Sequence, residues 1–216
     1  MSTVILAEMI VLSSRLLFAI SRRQMTLPNI LTIGRICLIP IFALAACGYS
    51  ASIEQGRSDE RLRMAAAGIF VVAAATDALD GFVARRYNQR TRLGRILDPI
   101  ADKGLIATAI LTVVLGPWPD AFPVWFAVAV LGRDLLLAIG FLILSNSIRC
   151  ITVRPSPLGK IATAFQIMTI LWVLFGVRSI SPIYPSVVAT FFTVASGVGY
   201  LLDAFWQARL AGRRRL

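Results

Sequence analysis

A chain of 216 residues that is 57% hydrophobic and only 15% charged, with a mean hydropathy of +0.78, carries too little polar surface for a water-solvated globule. That excludes an ordinary soluble domain and makes the bilayer the expected solvent, with one polytopic unit in place of several domains. The net charge of +11 rests on 22 Lys and Arg placed mostly in short connections between apolar runs, which suits anionic head groups and phosphate-bearing substrates and argues against nucleic acid as a partner.

Taken in order, residues 1–24 hold Ile5, Met9, Leu12, Leu16 and Ile20 at helical spacing, interrupted by Glu8 and Arg15. With no basic start and no small-residue cleavage site, they predict an amphipathic surface helix and a basic linker, not a cleaved signal. Six apolar runs follow, at 29–48, 64–85, 94–115, 122–144, 158–177 and 185–208. Each comes close to the about 20 residues a helix needs to cross the hydrocarbon layer. They are separated by Gly, Pro and charge, as in Gly116-Pro117-Trp118-Pro119-Asp120 and Arg154-Pro155-Ser156-Pro157. The expected fold is therefore an all-α integral membrane protein, with a six-helix domain over 25–208 and a basic tail over 209–216. Cys37, Cys47 and Cys150 have no metal-ligand spacing, and the first two lie inside apolar runs as small packing residues.

Orientation follows from where the cations fall. Arg22, Arg23, Arg85, Arg86, Arg90, Arg92, Arg95, Arg149, Arg154, Lys160, Arg209 and the Arg213-Arg214-Arg215 run fall on one side. Arg57, Arg61, Arg63 and Arg178 fall on the other, the first three offset by Glu54, Asp59 and Glu60. Both termini and the second and fourth loops are expected to be cytoplasmic.

The chemistry concentrates at the cytoplasmic ends of the second and third runs. There Thr76-Asp77-Ala78-Leu79-Asp80-Gly81-Phe82-Val83-Ala84-Arg85 is followed by Gly94-Arg95-Ile96-Leu97-Asp98-Pro99-Ile100-Ala101-Asp102-Lys103. Asp77 and Asp80 are three apart and Asp98 and Asp102 four apart, so on helices each pair shares a face. Two antiparallel helices with a short loop would bring the four carboxylates together, and four such anions beside a low-dielectric layer require cations. Oxygen-only ligands suit Mg²⁺ or Mn²⁺ better than zinc. Gly81, Ala84 and Gly94 are small enough to let a ligand approach the helices closely. A structural cluster of Asp with the nearby arginines would account for one pair, but not for four Asp interleaved with small residues. A divalent-cation channel or carrier would also use carboxylates, but along a path through the bilayer and not at one end of two spans.

These residues resemble the signature D-x-x-D-G-x-x-A-R, eight residues, G-x-x-x-D-x-x-x-D of the CDP-alcohol phosphotransferase family, matched without departure at Asp77, Asp80, Gly81, Ala84, Arg85, Gly94, Asp98 and Asp102. The resemblance implies six membrane helices with cytoplasmic termini, a frequent preceding surface helix and a homodimer in the inner or plasma membrane. By the same analogy Asp77, Asp80, Asp98 and Asp102 hold two ions, with Asp102 also the general base on the acceptor hydroxyl. Asp80, Gly81, Ala84, Arg85 and Gly94 would serve the CDP moiety of CDP-diacylglycerol.

For the acceptor, a lipid or a small alcohol, the basic candidates are Arg133, Arg149, Arg154 and Lys160. Arg133 beside Asp134 is costly to bury, so it is expected to face the cavity and not lipid. Leu27-Pro28-Asn29-Ile30-Leu31-Thr32 looks like the opening of phosphatidylglycerophosphate and cardiolipin synthases alike. Phosphatidylglycerophosphate synthases typically carry Arg-Glu in the fourth span and an Arg two turns later, where this chain has Arg133-Asp134 and Phe141. With Pro157-Leu158-Gly159-Lys160 and Phe192-Thr193-Val194-Ala195-Ser196, that pattern is more similar to CMP-forming cardiolipin synthases. The expected acceptor is then phosphatidylglycerol, with glycerol 3-phosphate as the alternative.

Overall fold

The computed structural model describes the backbone over residues 27–87, 94–147 and 157–213, and the side chains over 32–77, 101, 103–140, 157–203 and 206. The expected surface helix over 1–24, the loop cations Arg90, Arg92, Arg149 and Arg154, and the end of the basic tail lie outside these residues. Among the described residues there are six helices: α1 (Leu27–Glu54), α2 (Glu60–Tyr87), α3 (Gly94–Leu115), α4 (Val124–Ser147), α5 (Pro157–Leu174) and α6 (Ile183–Arg213). Each expected apolar run lies wholly or mostly on one of them, the fourth starting two residues before α4 and the fifth ending three residues past α5, because a long apolar backbone away from water must pair its own polar groups. Among the described residues, Thr32–Glu54, Pro157–Leu174 and Ile183–Asp203 are long and apolar enough to cross a membrane. In α3 the uninterrupted apolar stretch is shortened to Lys103–Leu115. In α4 the apolar sequence is broken by Arg133-Asp134.

The turns are written in particular residues. After α1, Gly56 takes a left-handed φ of 73°, its N–H bonding the Ile53 carbonyl while the Arg57 N–H bonds that of Ser52. This is the Schellman arrangement, which glycine enters without steric cost. Gly176 at φ 64° closes the segment after α5 in the same way, with Gly176 bonding Val173 and Val177 bonding Trp172. Asp59 caps α2 by accepting the Arg61 N–H on its side chain, and Glu60 adds a negative charge in the first turn.

The chain divides into two compact units, Met1–Pro119 and Asp120–Leu216. In the first, α1 packs against both α2 and α3. Phe42, Ala46, Ala66, Phe70, Ala109 and Val113 are fully buried there, and the Phe42 and Phe70 rings meet at 5.9 Å. At one end, Trp118 donates its Nε1 hydrogen to Ser50 Oγ at 2.9 Å and meets Tyr49 edge-on at 4.6 Å. Arg63 lies over the other side of Tyr49 and pairs with Glu60. In the second unit, α6 packs against α4 and α5.

Gly116 makes the Trp118 end possible. A Cβ there would stand 2.6 Å from Ser50 Oγ, 2.7 Å from the Thr112 carbonyl oxygen and 2.9 Å from Trp118 Cδ1. Gly116→Ala is therefore expected to cost about 1–3 kcal/mol through overpacking, read as a lower unfolding temperature of the purified protein in detergent. An unchanged unfolding temperature would show that the turn shifts freely.

Candidate active site

Three contacts fix the direction of α2 against α1. Gly48 faces Leu62, Phe42 faces Phe70 and Arg35 faces Asp77, so the two helices are antiparallel. Two contacts fix α3. Gly104 lies against Ile39, its absent Cβ leaving 3.1 Å to Ile39 Cδ1, and Gly116 lies against Ser50, so α3 runs parallel to α1 and antiparallel to α2. One helical turn before Ile39 and Gly104 stand Arg35 and Ile100, the latter between Asp98 and Asp102. Asp77 and Asp80 of α2 and Asp98 and Asp102 of α3 therefore share one end of this unit, opposite the Trp118 end.

Of the four, Asp77 alone has a described side chain. It is 48% exposed, and its Oδ1 accepts a 2.6 Å ion-paired hydrogen bond from Arg35 Nη1. Asp80, Gly81, Ala84 and Arg85 lie on α2, and Gly94, Asp98 and Asp102 on α3, with side chains outside the described residues. Among the described residues no group of three or more His, Cys, Asp or Glu gathers, because three of the four aspartates are not represented there. Asp77 is an accessible oxygen donor, and an all-oxygen set on two helix ends fits a hard divalent ion.

Arg35 was not singled out in the sequence, yet it is 1% exposed. It is the largest fully buried side chain among the described residues and lies one turn after buried Thr32. The signal was present: a lone cation inside an apolar run needs a partner, and such residues mark functional sites in membranes. What a sequence cannot supply is the register that makes Asp77 that partner.

The second unit has its own polar seam. Gln166 and Thr193 are fully buried and joined by a 2.8 Å bond from Gln166 Nε2 to Thr193 Oγ1. One turn along α6, Ser196 Oγ accepts a 3.1 Å bond from Arg133 Nη2, while Arg133 Nη1 bonds Asp134 Oδ1 at 2.8 Å. The guanidinium lies 5.6 Å from the Tyr200 ring centre, and the Arg133 side chain is 10% exposed. Arg133 is thus engaged on both terminal nitrogens within its own unit. Gly159 is buried against it, and a Cβ there would come within 3.3 Å of both Arg133 Nη2 and Tyr200 Oη. Lys160, next in the chain, is exposed. Arg149 and Arg154 lie outside the described residues, as does the side chain of Phe141.

Comparison with known proteins decides the family. The model of the CDP-alcohol phosphatidyltransferases matches residues 25–200. The chain belongs to the CDP-alcohol phosphatidyltransferase family. The matched range contains all four aspartates of this phosphatidyltransferase and every candidate acceptor residue, and membership sets aside the channel or carrier reading. A "CDP-diacylglycerol--glycerol-3-phosphate 3-phosphatidyltransferase" of Bacillus subtilis is 34% identical over 194 residues, covering 84% of this chain and 96% of the relative. Enzymes of the same name from Escherichia coli K12 and Shigella flexneri are each 34% identical over 154 residues, covering 70% of this chain and 78% of the relative.

Proposed function

We propose that this membrane enzyme transfers a phosphatidyl group from CDP-diacylglycerol to glycerol 3-phosphate, releasing CMP. The observation that carries the acceptor is the likeness, over most of the chain, to relatives named for glycerol 3-phosphate. This reading is preferred to the phosphatidylglycerol acceptor, and hence the cardiolipin product, expected from Arg133-Asp134 with Phe141, Pro157-Leu158-Gly159-Lys160 and Phe192-Thr193-Val194-Ala195-Ser196. Those short stretches are a narrow basis beside likeness of that extent. The aspartate end is assigned to the cytoplasmic face, where the basic loops are expected.

Asp77, Asp80, Asp98 and Asp102 would hold two Mg²⁺ or Mn²⁺ ions. When bound, these supply Lewis-acid stabilisation of the diphosphate oxygens, so that CMP departs more readily. The chain's own residues do the rest. Asp80, Gly81, Ala84, Arg85 and Gly94 seat the CDP moiety against the α2 and α3 ends. Asp102 takes the proton of the acceptor hydroxyl as its oxygen bonds phosphorus and the bond from phosphorus to the CMP oxygen breaks. Arg133, Arg149, Arg154 and Lys160 are the acceptor candidates, and the arginines have the geometry to bind a phosphate.

Purified protein supplied with CDP-diacylglycerol, Mg²⁺ and either glycerol 3-phosphate or phosphatidylglycerol tests the reading. Phosphatidylglycerophosphate with stoichiometric CMP is expected from the first, and little or no cardiolipin from the second. Cardiolipin without phosphatidylglycerophosphate would overturn the acceptor while leaving family and donor in place.

A further inference from the structure

Arg35 is an expensive residue in its setting. Its side chain is 1% exposed, on a helix whose Thr32–Glu54 stretch is apolar enough to cross a membrane. A buried guanidinium costs several kcal/mol unless it is well paired. As a mere tie between α1 and α2 the charge is superfluous, since the helices are joined by a short turn and already packed through Phe42 against Phe70 and Gly48 against Leu62. Replacing a buried ion pair by apolar packing is commonly neutral or better for stability. The acid that Arg35 bonds at 2.6 Å is also no incidental one, but the first aspartate of the signature.

We propose that Arg35 is a positioning residue, which holds the Asp77 carboxylate in one orientation at the aspartate end of the first unit. The proposal rests on the metal-site reading of the four aspartates. The 2.6 Å bond takes Oδ1, and a carboxylate has a second oxygen with which to ligate an ion. Outer partners of metal-ligating groups fix the ligand's orientation, and their loss typically weakens metal binding or activity 10- to 100-fold. Arginine suits this task because it stays charged at every physiological pH and its planar fork sets direction as well as charge.

The test is Mn²⁺ binding by the full chain in lipid nanodiscs, followed by the electron paramagnetic resonance signal of the free ion. Wild type, Asp77→Asn, Arg35→Gln, Arg35→Lys and the Asp77→Asn/Arg35→Gln double variant are compared, with unfolding temperatures taken in chelator. Arg35→Gln is expected to weaken Mn²⁺ binding about 10-fold, with Arg35→Lys intermediate. Adding Arg35→Gln to Asp77→Asn should weaken binding no further, because the two act as one unit. Arg35→Lys carries the test alone if the glutamine variant does not fold. Wild-type affinity in the Arg35 variants, with only a lower unfolding temperature, would reduce Arg35 to a tie between helices. Tighter Mn²⁺ binding would make it a repelling charge and overturn the proposal equally. If Asp77→Asn binds Mn²⁺ like wild type, the metal-site reading itself falls. If Asp77→Asn is weakened and the Arg35 variants are not, only the role of Arg35 falls.

Discussion

Asp77→Asn, Asp80→Asn and Asp98→Asn are each expected to lower turnover at least ~100-fold at saturating CDP-diacylglycerol and Mg²⁺. The amide is nearly isosteric with the carboxylate, so the helix ends should fold unchanged while one anionic ligand is lost. An ion that helps to neutralise the charge developing on a departing phosphate contributes several kcal/mol in the transition state, and each ~1.4 kcal/mol is a factor of ten. Asp77 has a second reason to be sensitive, because its substitution also leaves Arg35 buried beside a neutral group. The measurement is CMP release with the divalent ion supplied and then removed by chelator. Full activity in saturating chelator would sink the metal reading for all three.

The helices and the family were legible in the sequence for different reasons. Helix positions follow from apolar runs bounded by Gly, Pro and charge, so each expected run falls wholly or mostly on one of α1 to α6. The ends were less legible. The α1 helix runs on to Glu54, past the expected residue 48, because it stops where Gly56 can take a left-handed φ and not where hydropathy declines. The α2 helix begins at Glu60, before the expected residue 64, because Asp59 caps it. The family was legible because the four aspartates stand in a dense motif with unusual spacing. Arg35, Gln166 and Thr193 were harder, being single polar residues inside apolar helices. Their meaning comes from contacts 42 and 27 residues away along the chain, which a spacing argument does not reach. Arg133 illustrates a further gap: its charge was conspicuous, but its bond to Ser196 on α6 depends on how two non-consecutive helices pack.

Asp102→Asn is expected to separate binding from chemistry. Under the proposed function it takes the acceptor's proton, and so would act on glycerol 3-phosphate and not on the leaving CMP of the donor. The variant should therefore retain CDP-diacylglycerol binding within a few-fold of wild type while turnover falls ~10²- to 10⁴-fold, the usual range for a lost general base. The distinguishing measurements are donor affinity at equilibrium, by titration of CDP-diacylglycerol without acceptor, and single-turnover product formation after glycerol 3-phosphate is added. A wild-type rate with a weakened donor affinity would move Asp102 from proton transfer to ligand binding alone. A parallel loss in both would mean that Asp102 serves donor binding, by holding an ion, as well as the chemical step.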